Sequence, residues 1–176
     1  MAPILEVVPY RFEWQDQFSA AAAQLLPVFG KRLVGIHHIG STSIAGICAK
    51  PIIDMLVEVQ DISFVDNQDA AMEVLGYEVK GEYGIVGRRY FRKNDERGRR
   101  THHLHVFGAG SSEVVRHLGF RDFMMAHPLW AQRYSELKMR LATEFAHSPK
   151  HYISGKDSFI KHIDHLAAQM PLKKRM

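Results

Sequence analysis

The stretch HHIGSTSIAGICAKPIIDMLVEV, residues 37–59, decides how this chain is read. Its last nine residues form an apolar, β-branched run that reads as a buried strand, and Asp54 sits in the middle of it. A lone ionised carboxylate in such a place costs several kcal/mol unless something compensates it. Either a partner or a bound cation is therefore expected. Ahead of it, the loop GSTSIAG links this strand to a short one, RLVGIHHI. A Gly-Ser loop that leaves a strand and enters a helical turn offers backbone N–H groups and a hydroxyl to phosphate oxygens. Gly40 and Ser41 are the candidates for that role.

Outward from this stretch, the pattern alternates between helix and strand and then becomes helical. Trp14, Phe18, Ala21, Ala22 and Leu25 have helical spacing, which predicts an amphipathic helix over 13–29. Residues 64–76 fit a second helix ended by Gly76, and YEVKG reads as a strand. IVGRRYFRK and RTHHLHVFG flank the polar NDERGR, a hairpin signal. After GAGSS, a helix capped by Ser111 or Ser112 runs to His127, where Pro128 breaks it. Trp130, Tyr134, Leu137, Leu141 and Phe145 mark the next helix, and Phe159, Ile160, Ile163, Leu166 and Ala167 mark the last. The fold class is α+β: a mixed β-sheet with helices on one side and a helical C-terminal third. At 176 residues, one domain over 1–170 with a basic tail at 171–176 is expected.

With 46% hydrophobic and 24% charged residues, and no apolar run long enough to span a bilayer, a membrane role is excluded. The opening lacks the pattern of a secretory signal, and Cys48 is the single cysteine, a small packing residue; a cytoplasmic location is expected. A net charge of +4 makes a polyanion an acceptable partner.

Nucleotidyl transfer ordinarily uses two carboxylates two positions apart on one strand, which hold divalent cations against a polyphosphate. Here position 56 is Leu56, and Glu58 lies roughly 13 Å along the strand from Asp54. In RTHHLHVF, His103 and His105 share a face. If that strand lies beside Asp54, one carboxylate meets two imidazoles, a set that suits Mn²⁺, Fe²⁺ or Zn²⁺ better than Mg²⁺. The alternative is that the imidazoles only neutralise Asp54 by hydrogen bonding or line a solvated face.

HIGSTSIAGICAKPIIDMLVEV, the hairpin GRRYFRKNDERGRRTHHLHVF and RHLGFRDFMMAHPLWAQRYSELKMRL together resemble the GrpB family of the nucleotidyltransferase-like superfamily. PYRFEWQDQF and YISGKDSFI are similar to that family's ends. The resemblance implies a mixed sheet with helices and a site at Gly40, Ser41 and Asp54, while Leu56 departs from the superfamily's acidic pair. Asp54 is then the candidate catalytic residue, and Asp54, His103 and His105 are the candidate ligands of a divalent metal such as Mg²⁺ or Mn²⁺.

Several cations are candidates for a nucleotide's phosphates. Lys50 precedes Pro51 and either reaches a phosphate or stays solvated. Lys156 falls on the stripe of Ile160, Ile163 and Ala167, so its stem packs inward and its head either enters the cleft or snorkels. Arg88, Tyr90 and Arg92 share one strand face and Arg89 and Phe91 the other. Arg89 is taken as the nucleotide-binding candidate, against the alternative that strand arginines discourage edge aggregation. Arg121 and Asp122 read as a local salt bridge. Three functions are open: a nucleotidyltransferase-fold protein that binds a nucleotide or other phosphorylated small molecule, with metal-dependent transfer; a catalytically degenerate binding module; and, ranked last, an RNA binder using the basic hairpin.

Overall fold

A computed structural model describes residues 4–171. The basic tail expected at 171–176 lies outside the described residues apart from Pro171. Five strands form one sheet: β1 (Leu33–Ile39), β2 (Ile53–Val59), β3 (Tyr77–Val79), β4 (Arg89–Asn94) and β5 (Arg100–Gly108), in the order β1-β2-β5-β4-β3. β2 and β5 are parallel and every other neighbouring pair is antiparallel, so the sheet is mixed as expected.

Strand periodicity sorts the side chains into two faces. Ile53, Met55, Val57 and Val59 of β2, with Leu104 and Val106 of β5, point to one side. There they pack on Trp14, Leu25 and Phe29 of α1 (Glu13–Phe29), and on Met72 of α2 (Asp69–Val74). On the other side the same strands carry Asp54, Leu56, His103, His105 and Phe107. The upper part of that face is covered by Val114 and Leu118 of α3 (Ser112–Ala126), which close over Ile39, Leu56 and Phe107.

The helical third follows with α4 (Pro128–Glu144) and α5 (Pro149–Ala168). Ser111 accepts a hydrogen bond from the amide of Glu113 at the start of α3, and Pro128 opens α4 at its first position, where its missing N–H costs nothing. Ile44 and Ile47, from the loop between β1 and β2, are buried among Phe123, Met124, Tyr134 and Ile163. That packing draws the Gly-Ser loop into the angle between the sheet and the helical third.

Two boundaries differ from the sequence reading. Residues Ile62–Gln68 form 3₁₀ turns, and only Asp69–Val74 is α-helical. Asp61 binds the amide and hydroxyl of Ser63, the kind of local bond with which Asp and Ser compete against helix. β4 begins at Arg89 rather than at Ile85, because Gly81, Tyr83, Gly84 and Gly87 all have positive φ and build a compact loop that takes up the first residues of the expected strand.

Candidate functional site

The register of the parallel pair places Asp54 beside His103, and the antiparallel pair places it opposite Ile39, one residue before Gly40. Asp54 Oδ1 accepts from His103 Nδ1 at 3.0 Å and lies 3.9 Å from His105 Nε2. Burial would raise this carboxyl's pKa, but hydrogen bonds from the two imidazoles, and their charge when protonated, outweigh it and hold it well below the usual carboxylate range. Its side chain is 30% exposed, so the pair opens onto a cavity. Gly40 is required at the turn: its φ is +70°, and an added Cβ would lie 2.7 Å from Asp54 Oδ2.

The cavity, of about 180 Å³, is lined by Ser41, Thr42 and Lys50 of the loop, by Asp54 and His103 of the sheet, and by Lys138, Tyr152 and Lys156 of the helical third. Lysines dominate its charge. Lys138 is 2% exposed; its Nζ donates to the carbonyl of Cys48 and lies 4.6 Å from the centre of the Tyr134 ring. Lys50 and Lys156 share a single ring, that of Tyr152, at 4.7 Å and 4.4 Å. Burial pushes Lys138 down to about 7, helped by the charge of Lys156. Burial and Lys50 push Lys156 down to about 8 against the pull of Asp54. Lys50 is lowered by burial too, with Asp54 again opposing. Three amines are thus crowded into low dielectric with one carboxylate among them.

Thr42 Oγ1 and His38 Nε2 are 2.9 Å apart, and His38 stacks on Phe18 at 4.8 Å. Burial pushes His38 down to about 4, with Arg121 adding to the effect and Asp54 opposing it, so the ring is neutral near pH 7.

The acidic pair of metal-dependent transfer has no counterpart here. Leu56 is wholly buried under α3, and Glu58, farther along β2, is hydrogen-bonded to His37 at 2.8 Å. Asp54, His103 and His105 do come together, with Asp54 Oδ1 taken up by an imidazole. Among the described residues, no group of three or more His, Cys, Asp or Glu side chains is arranged so that it could hold a metal ion. The side chains present do not fit a two-cation centre.

Residues 4–165 match the sequence model of the family described as GrpB protein. The chain belongs to the GrpB family. The UPF0157 protein YqkA of Bacillus subtilis (strain 168) is 46% identical over 157 residues, which are 89% of this chain and 45% of that protein. The chain therefore spans less than half the length of that relative. The glutamate-rich protein GrpB of Alkalihalophilus pseudofirmus is 31% identical over 160 residues, 89% of this chain and 92% of its own. The crystal structure of the conserved protein GrpB from Enterococcus faecalis superposes with a TM-score of 0.88 at 40% identity, covering 92% of this chain and 96% of that one.

In this GrpB-family chain the structure brings Ser41, Lys50, Asp54, His103 and Lys156 to one cavity, with Gly40 packed behind Asp54 and His105 3.9 Å from the same carboxylate. It does not bring Arg89 there. Arg89 sits opposite Val106 on the α1 side of the sheet and forms a two-pronged pair with Asp66 at 2.5 and 3.1 Å. Arg88 lies 3.3 Å from His105 Nδ1, while Arg92 pairs with Glu78. Arg121 binds Asp122 as expected and also donates to the carbonyl of His38. Cys48 is buried and held by Ser135 of α4, as a packing residue would be. Lys138 and Tyr152 escaped the sequence reading. Position 138 lies four residues after Tyr134 and three before Leu141, so the helical spacing that singles out Lys156 on α5 singles out Lys138 on the apolar stripe of α4 as well. No helix among the described residues is long and apolar enough to cross a membrane.

Proposed function

We propose that the protein binds the phosphate groups of a nucleotide or another phosphorylated small molecule in this cavity. The observation that carries the reading is the convergence of Lys50, Lys138 and Lys156 on one pocket at depressed pKa. Burying like charges side by side is costly, and a phosphate relieves that cost by supplying the counter-charge. Asp54 acts as the resident counter-ion for the lysines and orients His103, whose Nδ1 it engages, so Nε2 is the ring nitrogen left for a guest. Ser41 and Thr42 supply hydroxyls at the pocket wall.

Leu56 favours a binding module over two-metal nucleotidyl transfer, because the face that would carry the second carboxylate is packed with hydrocarbon. Thermal shift with ATP in EDTA, and again with Mg²⁺ or Mn²⁺, separates the two. A binding module is stabilised by ATP in EDTA through mass action on the folded state, and Lys156→Met weakens the shift. A shift that appears only with metal and vanishes in Asp54→Asn would replace this reading with metal-dependent transfer.

A further inference from the structure

We infer that the loop between β3 and β4 presents Tyr83 as a stacking platform for a planar nucleobase, which makes the guest a nucleotide rather than a sugar phosphate; this rests on the phosphate reading above. Tyr83 is the only non-glycine residue with positive φ among the described residues, at +46°, and it is 56% exposed. A bulky side chain in the left-handed region is strained, and such strain persists only where the surroundings enforce it. Here the enforcing group is Arg88. Arg88 is 7% exposed; its guanidinium donates to the carbonyls of Glu82 and Tyr83 at 3.1 and 2.6 Å and lies 4.8 Å from the centre of the Tyr90 ring. The other end of the loop is tied down by Ile85, which packs against Ile39, Leu56 and Phe107.

The result is one aromatic ring held flat. Tyr83 stacks on Tyr90 at 5.1 Å with an interplanar angle of 16°, and Tyr90 is 5.9 Å from His103, a wall of the lysine cavity. Tyr90 is buried, so one face of Tyr83 is already stacked while its exposed area remains for a guest. The platform, His103 and the lysines therefore follow one another along the same side of the sheet, the order in which a nucleotide presents base, sugar and phosphates. Stacking reads no hydrogen-bond pattern, since every base offers a π-face, so the platform holds all bases alike.

Isothermal titration with ATP and with inorganic tripolyphosphate, on wild type, Tyr83→Phe and Tyr83→Gly, tests this. Glycine suits the left-handed backbone, so Tyr83→Gly removes the ring without straining the loop. Wild type and Tyr83→Phe are expected to bind ATP about tenfold or more tightly than tripolyphosphate, and Tyr83→Gly to bind both alike. Equal affinity of wild type for the two ligands, or undiminished ATP affinity in Tyr83→Gly, overturns the platform and leaves the phosphate pocket standing. Absence of binding by either ligand to wild type overturns the pocket and the platform together.

Discussion

Filling the lysine cavity with phosphate should draw protons from solution. In the empty pocket Lys138 titrates at about 7 and Lys156 at about 8, both lowered by burial. At pH 8 the first is therefore about nine-tenths neutral and the second about half neutral. Lys50 is lowered in the same direction, Asp54 is already ionised, and a phosphate guest has lost its last proton, which leaves near pH 6. A bound polyphosphate recharges the amines, so ATP binding at pH 8 in EDTA is expected to take up about one proton or slightly more. At pH 6 the lysines are charged beforehand and contribute almost none. The sign for the empty protein is the reverse of ligand binding. Between pH 7 and 10.5 the unfolded chain holds the Lys138 proton that the fold has released, so the unliganded fold gains stability as pH rises through that window. Titration calorimetry at pH 8 in buffers of different ionisation enthalpy reads the proton count from the slope of heat against buffer enthalpy. Lys138→Met should remove most of the uptake. Tight ATP binding with no proton uptake at pH 8 would show that the depressed amines do not meet the phosphates, and the reasoning would fail.

Three further outcomes follow from packing and charge. Gly40→Ala forces a Cβ against the Asp54 carboxylate at a positive φ; a cost of about 1–3 kcal/mol is expected, seen as a loss of about 2–4 °C in Tm for each kcal/mol, together with weakened ATP binding. Leu56→Asp, which restores the spacing of an acidic pair, places a charge among Ile39, Phe107 and Leu118; chemical denaturation should report a loss of several kcal/mol, and calorimetry no gain in Mn²⁺ affinity. Arg89→Met breaks a pair whose partner Asp66 is half exposed on the far face of the sheet; stability should change by about 1 kcal/mol or less and ATP affinity not at all.

The sequence revealed most of the sheet and half of the pocket, for reasons that can be traced to individual residues. Alternation alone put His103 and His105 on one face and Leu104 on the other, and the unpaired Asp54 demanded a neighbour, so their meeting followed once β2 and β5 were adjacent. Arg89 is a pocket candidate from sequence, although the same alternation carries the answer. Phe91 shares its face and packs in the apolar core, which sends Arg89 to the α1 side. The expected strand starts at Ile85 because Ile85 and Val86 look like strand residues, while the glycines at 84 and 87 and the strained Tyr83 override that propensity and delay β4 to Arg89. The sharing of Tyr152 by Lys50 and Lys156 was not legible at all. It depends on the docking of α5 against a loop about a hundred residues earlier, and helical periodicity says which side of a helix is apolar but not which element it meets.

The position of Leu56 gains its meaning from Lys138. A centre with two carboxylates gathers divalent cations, and the cations in turn neutralise a polyphosphate. In this chain the second carboxylate is replaced by hydrocarbon that closes the sheet against α3, and the positive charge comes from amines set directly in the pocket wall. The lysines outnumber the single carboxylate, so the empty cavity carries an excess of positive charge that burial suppresses by lowering the amines' pKa. A guest with two or more negative charges restores it. On the phosphate-binding reading proposed above, both arrangements answer the same electrostatic need, but the second requires no dissolved ion and would tie affinity to pH where the first ties it to metal concentration.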